Sequence, residues 1–372
     1  DMLLGRSEFL TPYTPYQPEV SQGNLQVMFE YQTAISELTG LPVSNASVYE
    51  GPSAVASAGY LAKLANGKPR IDISRGVHPH SRETLKTYAH GFGAEVVEVP
   101  LRDGVTDLDA WAQAIDGETG AVVFQQPNFL GAVEDAEALA AAAKDSPAVV
   151  VGQYDPIPLG ILKPPGACGV DVAVGEGQTL GNRLDFGGPS FGFFAATEAY
   201  LRRMPGRIAG ETTDVDGRRG FVLTLQTREQ HIRREKATSN ICTAQALNAL
   251  AGVVYLTWLG RRGLVELGEL LLQRTHYARE ALTALEGVEA LHEQPVVREF
   301  AVTLDAPVNA VIRRCQDAGV NPGYALGRDY EEFPNGLLVA LTEQRSKADI
   351  DRLAEVLGAA VAAERERAEV RA

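Results

Sequence analysis

The chain has 372 residues, 45% of them hydrophobic and 22% charged, a balance that excludes general disorder, a fibrous repeat and a disulfide-stapled miniature fold. Its 34 basic and 48 acidic residues leave a net charge of −14, which repels a nucleic-acid backbone over most of the surface. Three scattered cysteines, Cys168, Cys242 and Cys315, form neither a zinc pattern nor a disulfide framework and fit a reduced, cytoplasmic setting.

Leu3, Leu4 and Phe9 read as the end of an amphipathic helix already under way at Asp1, so a further N-terminal segment is expected. The proline-rich stretch 11–23 is stiff and cannot be helical. It presents Tyr13, Tyr16, Gln17 and Gln22 either to a small-molecule pocket or as a structural crossing over the sheet. From about residue 47 to 200, short β-branched runs alternate with helix-period segments. Strands are expected at 70–74, 95–100, 121–125, 148–152, 170–175 and 191–196, and helices at 53–64, 81–92, 108–114 and 135–144. That alternation implies βαβ units and a mainly parallel sheet flanked by helices.

Beyond Glu211 the pattern becomes helical, apolar over 238–259 and amphipathic over 264–285. A smaller α+β unit follows, with strands at 300–304 and 337–342 and helices at 308–318 and 347–367. The division expected is a large α/β domain over residues 1–270 and a small C-terminal domain over 271–372. The longest apolar stretch, 246–260, contains Asn248 and Thr257 and falls short of the ~18 residues a membrane span requires, so no membrane partner is expected.

Few motifs carry chemistry unaided. Residues 49–59 form a small-residue turn into a helix, where Gly51 and Ser53 are candidates to face a phosphate. Pro52 has no N–H to give, however, and Ser53 also reads as a simple helix cap. The glycines of 175–181 miss the dinucleotide spacing. His78 and His80 lie two apart without a third ligand, so no metal site is expected. Residues 227–245 are the most unusual, concentrating Arg228, Arg233, Arg234 and Lys236 within an acidic chain. They read either as a solvated charged helix with a Thr/Ser/Asn cap or as a binder of carboxylates or an acidic surface.

Four strings carry a specific resemblance: Tyr13-Thr-Pro-Tyr-Gln-Pro-Glu-Val-Ser-Gln-Gly23, Gly175-Glu-Gly-Gln178, Phe186-Gly-Gly-Pro189 with Phe191-Gly-Phe-Phe194, and the whole of 227–243. Together they resemble the glycine decarboxylase P-protein of the glycine cleavage system, in the form of its separate N-terminal half, subunit 1 or α. The resemblance implies the type I fold of pyridoxal-phosphate enzymes. It also implies decarboxylation of glycine, with transfer of the aminomethyl group to the lipoyl arm of the H-protein.

The resemblance further implies a Schiff-base lysine after the strand at 170–175, and there Thr179 stands instead. The chain has seven lysines and none between Lys163 and Lys236. A threonine hydroxyl forms no imine. The pyridinium-binding aspartate is replaced as well: Val151 falls at its place, with Asp155 the nearest acid. The expectation is an α subunit, active only with a homologous β subunit that carries the pyridoxal phosphate, in an α2β2 complex. The alternatives are a self-sufficient decarboxylase or aminotransferase using Lys163 or Lys236, and a regulatory subunit. Arg345, after the strand at 337–342, is a carboxylate-binding candidate or a surface arginine.

Overall fold

The computed structural model describes residues 1–11, 15–188 and 190–370. Two compact units emerge: residues 1–100, 107–126 and 135–264 form the first, and 101–106, 127–134 and 265–372 the second.

The first unit is built on a seven-stranded sheet, in the order Val43–Ser44, Gly192–Ala196, Val172–Glu176, Val149–Tyr154, Thr119–Gln126, Arg70–Ser74 and Glu95–Val99. The five strands from Val172–Glu176 to Glu95–Val99 run parallel, and Gly192–Ala196 runs against them. Its strands are near-continuous Val, Ile, Ala and Phe runs because both faces are covered. Ala54, Val55, Ala58 and Leu61 of the helix Gly51–Asn66 pack on Ile71, Val123, Val151 and Val172. Gly59 lets the next helix, Pro79–Phe92, approach closely: a Cβ there would lie 2.7 Å from Leu85 Cδ1.

Several elements differ from the sequence expectation. Residues 1–9 form turns, with no helical end there. A helix not anticipated, Gln22–Thr39, buries Leu25, Met28 and Ile35 against an equally unanticipated hairpin, Ala209–Thr213 with Arg219–Leu223. Gln32 completes that joint, its amide bonding both the N–H and the carbonyl of Ala209.

The apolar helix expected from residue 238 begins only at Ala246 and runs to Thr283, broken at Gly260, where φ is 60° and ψ −178°. Residues 238–245 are not helical, and three of their N–H groups are taken by distant hydroxyls. Cys242 donates to Tyr49 Oη, Ala244 to Tyr16 Oη and Gln245 to Ser47 Oγ. The charged stretch before it is broken into short turns, so no single solvated helix forms there.

The second unit holds a four-stranded antiparallel sheet ordered Val288–Ala290, Glu299–Leu304, Gly336–Ala340, Tyr324–Ala325. The helices Val308–Asp317 and Lys347–Glu369 cover it. Ser346 and Asp349 start the last helix with a reciprocal capping box. Among the described residues no helix is long and apolar enough to cross a membrane.

Candidate functional site

In an open parallel sheet the carboxyl ends of the strands are where ligands bind, and there the chain places Glu176, Thr179, Glu50, Gly51 and Ser53. The strand Val172–Glu176 ends facing the N-terminus of the helix Gly51–Asn66. That terminus has exposed N–H groups and a partial positive charge, and two carboxylates occupy it. Glu50 is the helix cap, in place of the Ser53 cap expected: its Oε1 accepts from Ser53 N at 3.0 Å and its Oε2 from Ser53 Oγ at 2.8 Å. Glu176 Oε2 accepts from Gly51 N at 3.0 Å, while its Oε1 accepts from Gln178 N and from the Ser190 hydroxyl. Glycine suits this close approach, since a Cβ at Gly51 would sit 3.0 Å from Glu176 N.

Thr179 follows the strand in a turn. Its Oγ1 is buried and makes no hydrogen bond with the described residues. The Tyr31 hydroxyl is buried and unpartnered too, and burial, reinforced by Glu176, holds its pKa well above the usual value. Val151 is wholly buried in its strand, and Asp155, just past the strand end, accepts a hydrogen bond from Ile157 N.

Pyridoxal phosphate asks a site for an amine to hold its aldehyde, N–H donors for its phosphate and a carboxylate for its ring nitrogen. At the positions the resemblance assigns, Thr179 stands for the amine and Val151 for the carboxylate, and the N–H groups of Gly51 and Ser53 already face carboxylates. A phosphate brought to this helix end meets like charge from Glu50 and Glu176. These residues do not fit the cofactor. Nor do the two alternative lysines supply a site: Lys163 is exposed and paired with Glu137 at 2.6 Å, and Lys236 is exposed on a short turn.

Tyr13 lies outside the described residues. Tyr16 is half-buried, its hydroxyl accepting from Ala244 N at 2.7 Å and donating to Ala244 O at 3.3 Å, under the guanidinium of Arg207. Burial raises its pKa, against the opposing effects of Ala244 and Arg207. Gln22 is equally committed, its amide bonding both N–H and carbonyl of Phe221 at 2.7 and 2.9 Å. Gln17 is exposed. Of the described residues, the Tyr16 hydroxyl and the Gln22 amide are thus committed to backbone groups of Ala244 and Phe221. Arg345 is exposed in the turn before the last helix.

The basic stretch divides by role. Arg228 is buried and donates to the carbonyls of Met204, Gly206 and Leu225; burial lowers its pKa. Arg207, unnoticed in sequence, joins Glu229 at 2.5 Å and the carbonyl of Cys242, tying this stretch to Tyr16. His78 caps the helix Pro79–Phe92, its Nδ1 accepting from His80 N. No group of three or more potential metal ligands occurs among the described residues. Glu176 had no signal in the sequence, because a carboxylate brought to a helix end from 125 residues away follows no spacing rule, whereas Glu50 lies at the local capping spacing from Ser53 and was passed over for it.

The family model of the glycine cleavage system P-protein matches residues 1–357. Probable glycine dehydrogenase (decarboxylating) subunit 1 of Geotalea uraniireducens is 49% identical over 361 residues, covering 97% of this chain and 82% of that one. Its counterpart in Moorella thermoacetica is 50% identical over 351 residues, 94% of this chain and 79% of the relative. A solved, inhibitor-bound glycine decarboxylase (P-protein) superposes with a TM-score of 0.92 at 45% identity, covering 96% of this chain and 81% of that one. An alanine–glyoxylate aminotransferase from Nostoc shares the fold alone, at 18% identity and a TM-score of 0.68 over 97% of this chain and 92% of its own. The α/β architecture is thus the type I fold of pyridoxal-phosphate enzymes, and the chain belongs to the glycine cleavage system P-protein family.

Proposed function

We infer that the chain is the α subunit of a glycine dehydrogenase of the decarboxylating, aminomethyl-transferring kind, and that the Schiff-base lysine and pyridoxal phosphate belong to a homologous β subunit. The observation that carries this division is the helix end at Gly51, where Glu50 and Glu176 stand in the place of a phosphate beside Thr179. In the α2β2 complex, glycine loses its carboxylate as carbon dioxide and its aminomethyl group passes to the lipoyl arm of the H-protein.

The large α/β domain of residues 1–270 and the small domain of 271–372 act as a scaffold, and the N-terminal loop at Tyr13, Tyr16 and Gln17 forms a wall of the shared pocket. Tyr16 serves that wall through its bonds to Ala244, and Gln22 through its bonds to Phe221. Gly51 and Ser53 are the remnant of a phosphate loop. The three cysteines are free, in keeping with a cytoplasmic location.

The test is borohydride reduction of the assembled complex with its cofactor, followed by peptide mass analysis, alongside glycine-dependent carbon dioxide release with lipoylated H-protein. The pyridoxyl adduct is expected on a β-subunit lysine, and turnover only when both subunits are present. A stoichiometric adduct on Lys163 or Lys236 overturns the assignment.

A further inference from the structure

Away from the strand ends, a cleft of about 600 Å³ opens between the helices Gly51–Asn66 and Pro79–Phe92 and the segment 230–240. At 1.5 Å per residue its helix wall, Ser57 to Leu64, lies roughly 9–20 Å along the helix from Gly51, so it is separate from the site above. The volume is that of a small-molecule site.

The lining is chemically selective. Lys63 and Arg234 bring two cations, against one carboxylate, Glu235. Neither cation has an ion-pair partner among the described residues, whereas Lys86 on the neighbouring helix bridges to both Glu83 and Glu98. In a chain of net charge −14, two unpaired cations in one concave site are a local reversal of the overall field. Tyr60 and Tyr88 add aromatic surface and hydroxyls, and Tyr60 is backed by Phe92 with ring centroids 5.2 Å apart. Ser239 and Asn240 add polar groups opposite.

Arg234 is also held at φ 54° and ψ −123°, a region that residues with side chains rarely adopt. Strain of this kind persists where a side chain must be presented in a particular direction.

We propose that this cleft binds a small organic anion, a carboxylate or phosphate carried on a flat apolar body. Lys63 and Arg234 grip the charged end through charge-assisted hydrogen bonds, and the rings of Tyr60 and Tyr88 contact the body. An acidic protein segment is the competing occupant, but two cations and two tyrosines converging on one concave lining suit a small anion with an aromatic-sized body.

The test uses the full chain, alone and assembled with the β subunit, titrated calorimetrically with phenyl phosphate, benzoate, inorganic phosphate and neutral phenol. Phenyl phosphate or benzoate is expected to saturate a single site, the stronger of the two naming the charged group, with inorganic phosphate weaker and phenol not binding. Lys63→Gln and Arg234→Gln should each weaken that binding about tenfold, the loss of one charge-assisted hydrogen bond. Lys63→Arg should retain it, which separates loss of charge from misfolding. No saturable binding, or binding that both glutamine variants leave unchanged, overturns the proposal. So does binding that vanishes when the β subunit is added, since the cleft is then a subunit contact.

Discussion

The carboxylate of Glu176 accepts a hydrogen bond from the backbone N–H of Gly51 at 3.0 Å, across 125 positions of sequence. With Glu50 it converts a helix terminus suited to anions into an internally neutralised joint. Glu176 also accepts from Gln178 N and the Ser190 hydroxyl, so its removal strands three donors. Glu176→Ala is expected to destabilise the chain by about 1–3 kcal/mol, and Glu176→Gln by less because one acceptor oxygen remains. Urea unfolding of the three proteins measures the order, and an alanine variant as stable as the parent contradicts it.

Thr179→Lys restores one missing part and leaves the carboxylates and Val151 in place. The variant should form no stable imine with pyridoxal phosphate and should not decarboxylate glycine alone. Visible absorbance with added cofactor, followed by borohydride trapping, reads this directly. A trapped adduct at position 179 together with turnover would show that the lysine alone was lacking.

Removing the Tyr16 hydroxyl leaves both backbone groups of Ala244 without their partner. Tyr16→Phe should lower unfolding free energy by about 1–3 kcal/mol while keeping the ring under Arg207. In the assembled complex the glycine KM should stay within about twofold of the parent, because the hydroxyl is directed at the backbone. A large KM change at unaltered stability would place the hydroxyl on substrate instead.

Arg345 is exposed, and the nearby Asp349 carboxyl is held below its usual pKa chiefly by Ser346, with a small contribution from Arg345. Arg345→Ala should therefore leave both assembly and the glycine KM unchanged. Steady-state kinetics of the complex with lipoylated H-protein decide the matter.

Glu134 is buried in the second unit, where its carboxylate accepts from Thr106 N, Thr106 Oγ1 and Asn128 Nδ2. Burial outweighs these bonds and pushes its pKa up to about 6 from 4.5. The folded chain therefore favours the protonated acid. This contribution to stability is complete below pH 4.5 and is lost as pH rises through about 6. Across that window it amounts to about 2 kcal/mol. Glu134→Gln should flatten this component of the stability profile. Denaturant midpoints at pH 4.5, 6 and 7.5 for both proteins test it, and parallel profiles would rule out Glu134 as the source.

Periodic patterns carried the parallel sheet: the strand Arg70–Ser74 and the helix Leu108–Ala114 lie where their runs of β-branched and helix-period residues indicate. The helix Gln22–Thr39 escaped because two of its core-facing positions are polar, Gln32 and Thr39, which blurs the apolar stripe. The hairpin after residue 208 escaped because only Ala209 and Phe221 of its strand residues are buried, with no alternation of buried and solvated positions, despite the Asp214 to Gly217 turn.

The lack of a lysine between Lys163 and Lys236 is a property of composition and order, and no folding is needed to read it. Fold class follows similarly, since hydrophobic periodicity is a local consequence of backbone geometry. The occupation of the Gly51 helix end by Glu50 and Glu176, the commitment of Tyr16 to Ala244 and the burial that raises Glu134 depend on where distant segments cross. Hydrogen bonds act over about 3 Å and desolvation over the surrounding packing, so their partners exist only once tertiary contacts bring residues such as Tyr16 and Ala244 together.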